Sequence, residues 1–357
     1  MKKNRFYLLA AMATAVISLS SCIYDDEVAT ATPNGELSQE EVKISATMQE
    51  IEATTRAASN LQGDNLDDWT TTGIFVYKTG KTAAVAASTG VTGYTGYENI
   101  RVTGTTPTPV SDPPATQNIT LTPAQALYFP VDKTDVDVFV YAPRDASYTD
   151  VTSMAFTVNA DQSTATNYKA SDFVYGKGTA DYDGTPAKTA QISMNHALTK
   201  LTFYIEDIGG VAGNITDITL GDVYKKATID MSKTITTSGC VTTSSDAGDK
   251  GTVKVSNSSD NPNLYTDVKT VSGGTQPGVS AIIPPQTGMS ASAGPTVSVI
   301  INGTTKTVYL GSGTLASFDP GKEYKYTLKI KTDEVIVVVV SIVDWGTGSS
   351  ESRDLTF

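Results

Sequence analysis

Histidine and cysteine are almost absent from this chain. Its 357 residues include one histidine, His196, and two cysteines, Cys22 and Cys240. A Ser-His-Asp or Cys-His triad would have to use His196, and so would a His-rich zinc site. Two cysteines build neither a disulfide framework nor a Cys/His metal site, so no metal and no cofactor is expected. Positive charge is scarce as well. There are 26 Lys and Arg against 38 Asp and Glu, a formal net charge of −12. With no basic cluster, that balance argues against nucleic acid and anionic lipid as partners. No P-loop, GxGxxG or nucleophile elbow is present. The densest carboxylate groups, Asp64/Asp67/Asp68 and Asp132/Asp135/Asp137, read as solvated turn or strand-face positions. No catalytic residue is assigned, and the chain is not expected to be an enzyme.

Long helical periodicities are also missing. Gly, Thr, Ser, Tyr and Val are abundant instead, a β composition with many turns. Hydrophobic residues make up 39% and charged residues 18%, which with this length suits two soluble domains.

The N-terminus reads as an address. Lys2, Lys3 and Arg5 precede the apolar stretch Phe6–Leu19, and Leu19-Ser20-Ser21-Cys22 follows. A basic start, a short apolar region and small residues make a secretory signal over 1–21. Leu-Ser-Ser-Cys matches the bacterial lipobox, in which the cysteine is lipidated, so Cys22 is the expected lipid anchor. Asp25, Asp26 and Glu27 resemble the surface-export signal of Bacteroidales lipoproteins. Residues 22–40 then read as a flexible tether.

From there the chain is a series of short alternations. Val42, Ile44, Ala46 and Met48 alternate with Lys43, Ser45, Thr47 and Gln49, a half-buried strand of period two. Arg56 stands among small polar residues, Thr54-Thr55-Arg56-Ala57-Ala58, where an accessible protease site is one reading and a solvated loop arginine the other. Gly73–Lys78, Leu127–Pro130, Val136–Pro143 and Asp172–Gly176 are further strands. The excursion over 79–121 reads as a long hairpin or surface loop, with one strand candidate at Tyr97–Val102. Residues 177–188 look like a linker, which divides the chain into domains at 41–186 and 187–357. Ile192, Met194, His196 and Leu198 share one parity while Leu201, Phe203 and Ile205 take the other, so a bulge or change of face is expected near Thr199-Lys200. His196 sits on the apolar parity and reads as a core residue. Asn302-Gly303 between two apolar runs predicts a hairpin.

The longest apolar run is Val335–Val343, interrupted only by Ser341. It spans about 30 Å as a strand at roughly 3.3 Å per residue and is too short for a membrane helix. Being apolar on both parities, it must be covered on both faces. It therefore sits mid-sheet in its own domain or belongs inside a neighbour. The sum is an all-β chain of two antiparallel β-sandwiches, about seven strands each.

Several local patterns coincide: the lipobox at Cys22; a strand ending in Thr54-Thr55-Arg56-Ala57; Gly73-Ile74-Phe75-Val76-Tyr77; and Leu127-Tyr128-Phe129-Pro130 leading to Val138-Phe139-Val140-Tyr141-Ala142-Pro143. To these add His196-Ala197-Leu198-Thr199-Lys200-Leu201, Ala281-Ile282-Ile283-Pro284-Pro285 and Phe318-Asp319-Pro320-Gly321-Lys322. In this order they resemble the fimbrillin family, the type V pilins and Mfa-like lipoproteins of Bacteroidales. The resemblance implies two transthyretin-like β-sandwich domains at the cell surface, lipid-anchored in the outer membrane before joining a fimbrium that supports adhesion. It implies cleavage between Arg56 and Ala57 by an arginine-specific protease, removing the strand Val42, Ile44, Ala46, Met48. It further implies that the groove is filled by an adjacent subunit's Val335, Val337, Val339, Val340, Ile342 and Val343. The partners would be other fimbrial subunits. A monomeric surface lipoprotein binding glycan or a host ligand is the alternative, with Trp69, Tyr94, Tyr97 and Tyr128 as candidate stacking residues.

Overall fold

The computed structural model describes residues 37–48, 71–81, 85, 97–107, 117–183, 188–207, 215–235, 239–244, 246–257, 279–311, 315–330, 335–345 and 350–351. The first half of the chain supplies β1 (Leu37–Glu41), β2 (Lys43–Met48), β3 (Gly73–Lys78), β4 (Ile100–Pro107), β5 (Gln117–Pro123), β6 (Tyr128–Pro130) and β7 (Val136–Ala142). There follow β8 (Met154–Thr157), a short helix α1 (Ala165–Ala170), β9 (Val174–Ala180) and β10 (Thr189–His196). The second half begins with β11 (Thr199–Asp207), β12 (Ile215–Tyr224), β13 (Lys226–Ile229), β14 (Val241–Thr243), β15 (Lys250–Asn257), β16 (Val279–Ile283) and β17 (Gln286–Thr287). It ends with β18 (Thr296–Ile301), β19 (Thr304–Tyr309), β20 (Ser317–Phe318), β21 (Lys322–Ile330), β22 (Val335–Asp344) and β23 (Ser350–Glu351).

The all-β expectation holds, and the first domain closes on itself. Seven strands form a barrel in the order β10-β2-β5-β4-β3-β7-β9. Its interior is filled by alternate residues of those strands, among them Val42, Ile44, Ile74, Val76, Val138, Val140 and Ile192. The second domain has a five-stranded sheet, β16-β11-β21-β22-β23, and a four-stranded sheet, β15-β12-β18-β19. Both contribute to one core, which joins Leu201, Phe203, Tyr326 and Leu328 to Leu220, Val253, Val297 and Val299.

Two boundaries shift from the sequence reading. Leu37–Glu41, expected in the tether, pairs as β1 with β6. β10, expected to open the second domain, pairs in parallel with β2 and antiparallel with β9 and so completes the first. The barrel's strands therefore end at His196, and the five-stranded sheet begins at Thr199. The parity switch expected near Thr199-Lys200 is a change of sheet: β10 belongs to the barrel, whereas β11 pairs with β16 and β21. The Asn302-Gly303 hairpin is present between β18 and β19, with both turn residues at positive φ. Within the 79–121 excursion, β4 and β5 pair with each other and belong to the barrel wall.

β7 is buried along its whole length because its two faces pack differently. Val136, Val138 and Val140 point into the barrel, while Phe139 and Tyr141 join an outer aromatic layer with Phe75, Tyr77, Phe173 and Tyr175. That layer also holds Leu198, Ile229, Met231, Ile282 and Trp345 from the second half of the chain. A three-stranded sheet, β14-β13-β8, bridges the two halves, since β8 precedes the barrel's last strands and β13 follows β12. No helix among the described residues is long and apolar enough to cross a membrane.

Candidate assembly site

β2 occupies a slot between two barrel strands. Lys43–Met48 runs parallel to Thr189–Met194 of β10, and Ser45–Met48 runs antiparallel to Gln117–Thr120 of β5. The period-two pattern sends Val42, Ile44 and Ala46 into the core at 3%, 1% and 0% exposure, while Lys43 is exposed. Met48 takes its place in both ladders.

The entry to the slot is fixed by backbone bonds. The Val42 N–H donates to Leu127 O at 2.7 Å, and the Lys43 N–H donates to Lys188 O at 2.7 Å. Lys188 Nζ reaches Glu40 at 2.6 Å, a partly exposed ion pair of modest worth. Thr47 Oγ1 donates to Ile192 O on the far side. β1 and β2 thus form one continuous strap, interrupted only at Val42, whose first part pairs with β6 and whose second part is a strand of the barrel wall. Burying Val42 and Ile44 contributes on the order of 3–6 kcal/mol, at roughly 1.5–3 kcal/mol per branched side chain.

The C-terminal run lies in its own sheet. β22 pairs antiparallel with β21 from Val335↔Ile330 to Asp344↔Lys322. Val335 and Val337 enter the second core, and Ile342 packs against it. The backbone of Val339 pairs with Tyr326, and the register shifts between Lys325 and Tyr326, so that Val340 lies at the irregularity. Beyond it the pairing is Ser341↔Lys325, Ile342↔Tyr324 and Val343↔Glu323. β23 pairs with Ile342 and Val343 on the other edge. The two segments that the family resemblance links therefore lie in different sheets of one chain, β2 in the barrel wall and β22 in the five-stranded sheet. Cys22, Arg56 and Ala57 fall outside the described residues.

Other candidate side chains read as structural. His196 is buried, and its Nδ1 lies 3.0 and 2.9 Å from the two carboxylate oxygens of Asp172. Cys240 is buried and free; its thiol lies 3.0 Å from Ile235 O, and burial pushes its pKa up. That environment disfavours the nucleophilic thiolate. Tyr97 is buried and its hydroxyl accepts from the Tyr128 N–H at 2.6 Å, which removes its ring from any sugar-stacking role. Tyr128 is half-buried against the barrel core, and Trp69 and Tyr94 fall outside the described residues. No group of three or more His, Cys, Asp or Glu able to hold a metal occurs among the described residues.

Three features escape local reading. β1 has no clean alternation. Asn99, at positive φ, ties the barrel to the following loop: its amide donates to Asp145 O and Tyr148 O, its Oδ1 accepts from the Tyr141 hydroxyl, and its carbonyl accepts from Arg144. The stacking of Trp345 on His196 joins residues far apart in sequence. The alternation Met154/Phe156 in β8 was a usable signal for that strand, but nothing local names its partner β13.

A model of the fimbrillin-like family matches residues 55–345. The chain belongs to the fimbrillin-like family. Among solved structures, one described as a cell adhesion protein from Bacteroides uniformis is 18% identical, with a TM-score of 0.53 over 85% of this chain and 99% of that one. Another so described, from Bacteroides ovatus, is 14% identical, with a TM-score of 0.54 over 86% of this chain and 98% of that one. At these identities the likeness establishes a shared fold. No curated protein sequence matches.

Proposed function

We propose that this fimbrillin-like chain is a structural subunit of surface fimbriae that supports adhesion and assembles by strand exchange. In this reading the precursor is exported, lipidated on Cys22 and held at the outer membrane. An arginine-specific protease cuts between Arg56 and Ala57. The strap containing Val42, Ile44, Ala46 and Met48 then gives way to Val335–Val343 of a neighbouring subunit. Family membership supports the fimbrial role, as do the adhesion proteins that share the fold.

The observation that carries the mechanism is the position of β2. It is a six-residue strand, near the start of the described chain, that alone bridges β5 and β10. An entering strand would meet unpaired backbone groups on both sides, running parallel to β10 and antiparallel to β5, and pockets shaped for alternate side chains. Because β2 is held by two ladders and buried apolar groups, cleavage by itself leaves it bound, and exchange proceeds by displacement.

The self-pairing of β22 favours a second reading, a monomeric surface lipoprotein with an intrinsic last strand. Treating the precursor, produced without its lipid, with an arginine-specific protease separates the two. Fimbrial assembly gives a ladder on denaturing gels that collapses on boiling. Cleavage after Arg56 that yields only folded monomer would rule out this form of assembly. Palmitate labelling that is lost in Cys22→Ala checks the anchor.

A further inference from the structure

The end of β22 is fastened differently from the rest of the strand. Trp345 is 4% exposed, and its indole lies flat on the His196 imidazole, with ring centroids 3.8 Å apart and planes 5° from parallel. Lys200 Nζ lies 5.8 Å from the same indole centroid. His196 is held by Asp172, which precedes β9, and Lys200 by the buried Glu323 of β21, whose carboxylate also accepts from Thr202 at 2.7 Å. The Trp345 backbone N–H donates to Gly321 O at 2.8 Å, and Asp344 pairs with Lys322. The slot is therefore built from both domains: Asp172 and His196 come from the barrel side, Lys200, Gly321 and Glu323 from the other.

Three physical points give this seat a consequence. First, β21 and β22 are consecutive, and only residues 331–334 separate Ile330 from Val335. That end of the ladder is held covalently, so β22 must unzip from Asp344 backwards, which is where Trp345 is seated. Second, Trp345, the residue after β22, shares the aromatic layer with Phe139, Phe173 and Tyr175, whereas Val335, Val337 and Ile342 of β22 pack in the second core. Third, the indole Nε1 is buried and makes no hydrogen bond among the described residues. Stacking and packing hold the ring, and no directional side-chain bond has to be remade when it returns.

We infer that Trp345 is an autoinhibitory latch: β22 leaves β21 only after the indole leaves its slot between His196 and Lys200. The link to assembly rests on the strand-exchange reading above, but the latch itself is a property of the single chain. It keeps the C-terminal strand in its own sheet and ties its release to the domain junction.

Hydrogen exchange on the full-length soluble monomer tests this. Trp345→Ala is expected to speed amide exchange in 335–345 by tenfold or more and to leave β3 and β7 at wild-type rates. Trp345→Phe keeps one ring on His196 while giving up the second ring of the indole, so it is expected to exchange between wild type and Trp345→Ala. Ile229→Ala lies in the same aromatic layer but not on β22, and serves as the control for general loosening. If Trp345→Ala does not fold, Trp345→Leu gives the same comparison. Unchanged exchange in 335–345, or a rise shared equally by β3, β7 and the Ile229→Ala control, would overturn the latch. Selective acceleration without any gain in ladder formation after arginine-specific cleavage would keep the latch and count against strand exchange.

Discussion

At the scale of residues, repeated Asp-x-Ser/Thr turns do much of the surface work. Asp132, Asp145, Asp150 and Asp161 each accept from the backbone N–H and the hydroxyl two residues on. Hydrogen bonds to the charged form lower a carboxyl's pKa. Asp132 is brought to about 2, first by the side-chain bond from Lys78 and then by Thr134. Asp145, Asp150 and Asp161 are lowered chiefly by Ser147, Thr152 and Ser163. In the unfolded chain these groups bind protons at higher pH than in the fold. Their contribution is therefore complete above the ordinary carboxylate range, near pH 4, and is lost as pH falls through the lowered folded values. Denaturant midpoints are expected to be flat from pH 7 to about 5 and to fall below about 4, and Asp150→Asn is expected to flatten that fall. Glycine matters where β9 crosses β10. A Cβ on Gly176 would overlap the Ser193 carbonyl oxygen, and one on Gly178 the Gln191 carbonyl oxygen. Gly176→Ala is expected to cost at least about 1–3 kcal/mol by overpacking, read from the denaturant midpoint. Residues whose role is local were legible beforehand, such as Val42, Ile44 and Ala46 by alternation and Asn302-Gly303 by turn chemistry. Asn99 was not, because its role is to collect partners from a loop some forty residues on.

At the scale of elements, β22 is the informative strand. Its two apolar parities left its location open between its own sheet and a neighbour. Within the single chain it lies between β21 and β23, and Val335 and Val337 complete the second core. Val337→Ala in the monomer is expected to cost about 2 kcal/mol of stability, from lost apolar burial and the cavity left behind. A strand held free for donation would make the same change neutral, and equilibrium unfolding in urea distinguishes the two. Strand existence was readable for most elements because period two is a local property. The place of β10 was not, since its parallel partner β2 lies far back in the sequence and only that pairing assigns it to the barrel.

At the scale of the whole molecule, the two halves are joined by more than a linker. β8 pairs with β13, and the Gln162 side chain imitates a strand edge against β16: its Nε2 donates to Ile282 O at 2.8 Å and its Oε1 accepts from the Ile282 N–H at 2.8 Å. Gln162→Ala would leave both backbone groups buried without that partner, at about 1–3 kcal/mol. Calorimetry is expected to give one transition for the parent chain and a broadened or split one for the variant. The partners of this junction could not be read from either half alone. The central claim is that β2 is exchanged in the barrel wall for another subunit's strand. The most direct measurement is the composition of the polymer formed after arginine-specific cleavage, read by mass spectrometry of the washed, unboiled ladder. The account predicts that residues 37–48 are missing from every subunit that has gained a neighbour and are recovered as free peptide. Polymers that retain 37–48 in each subunit would contradict it.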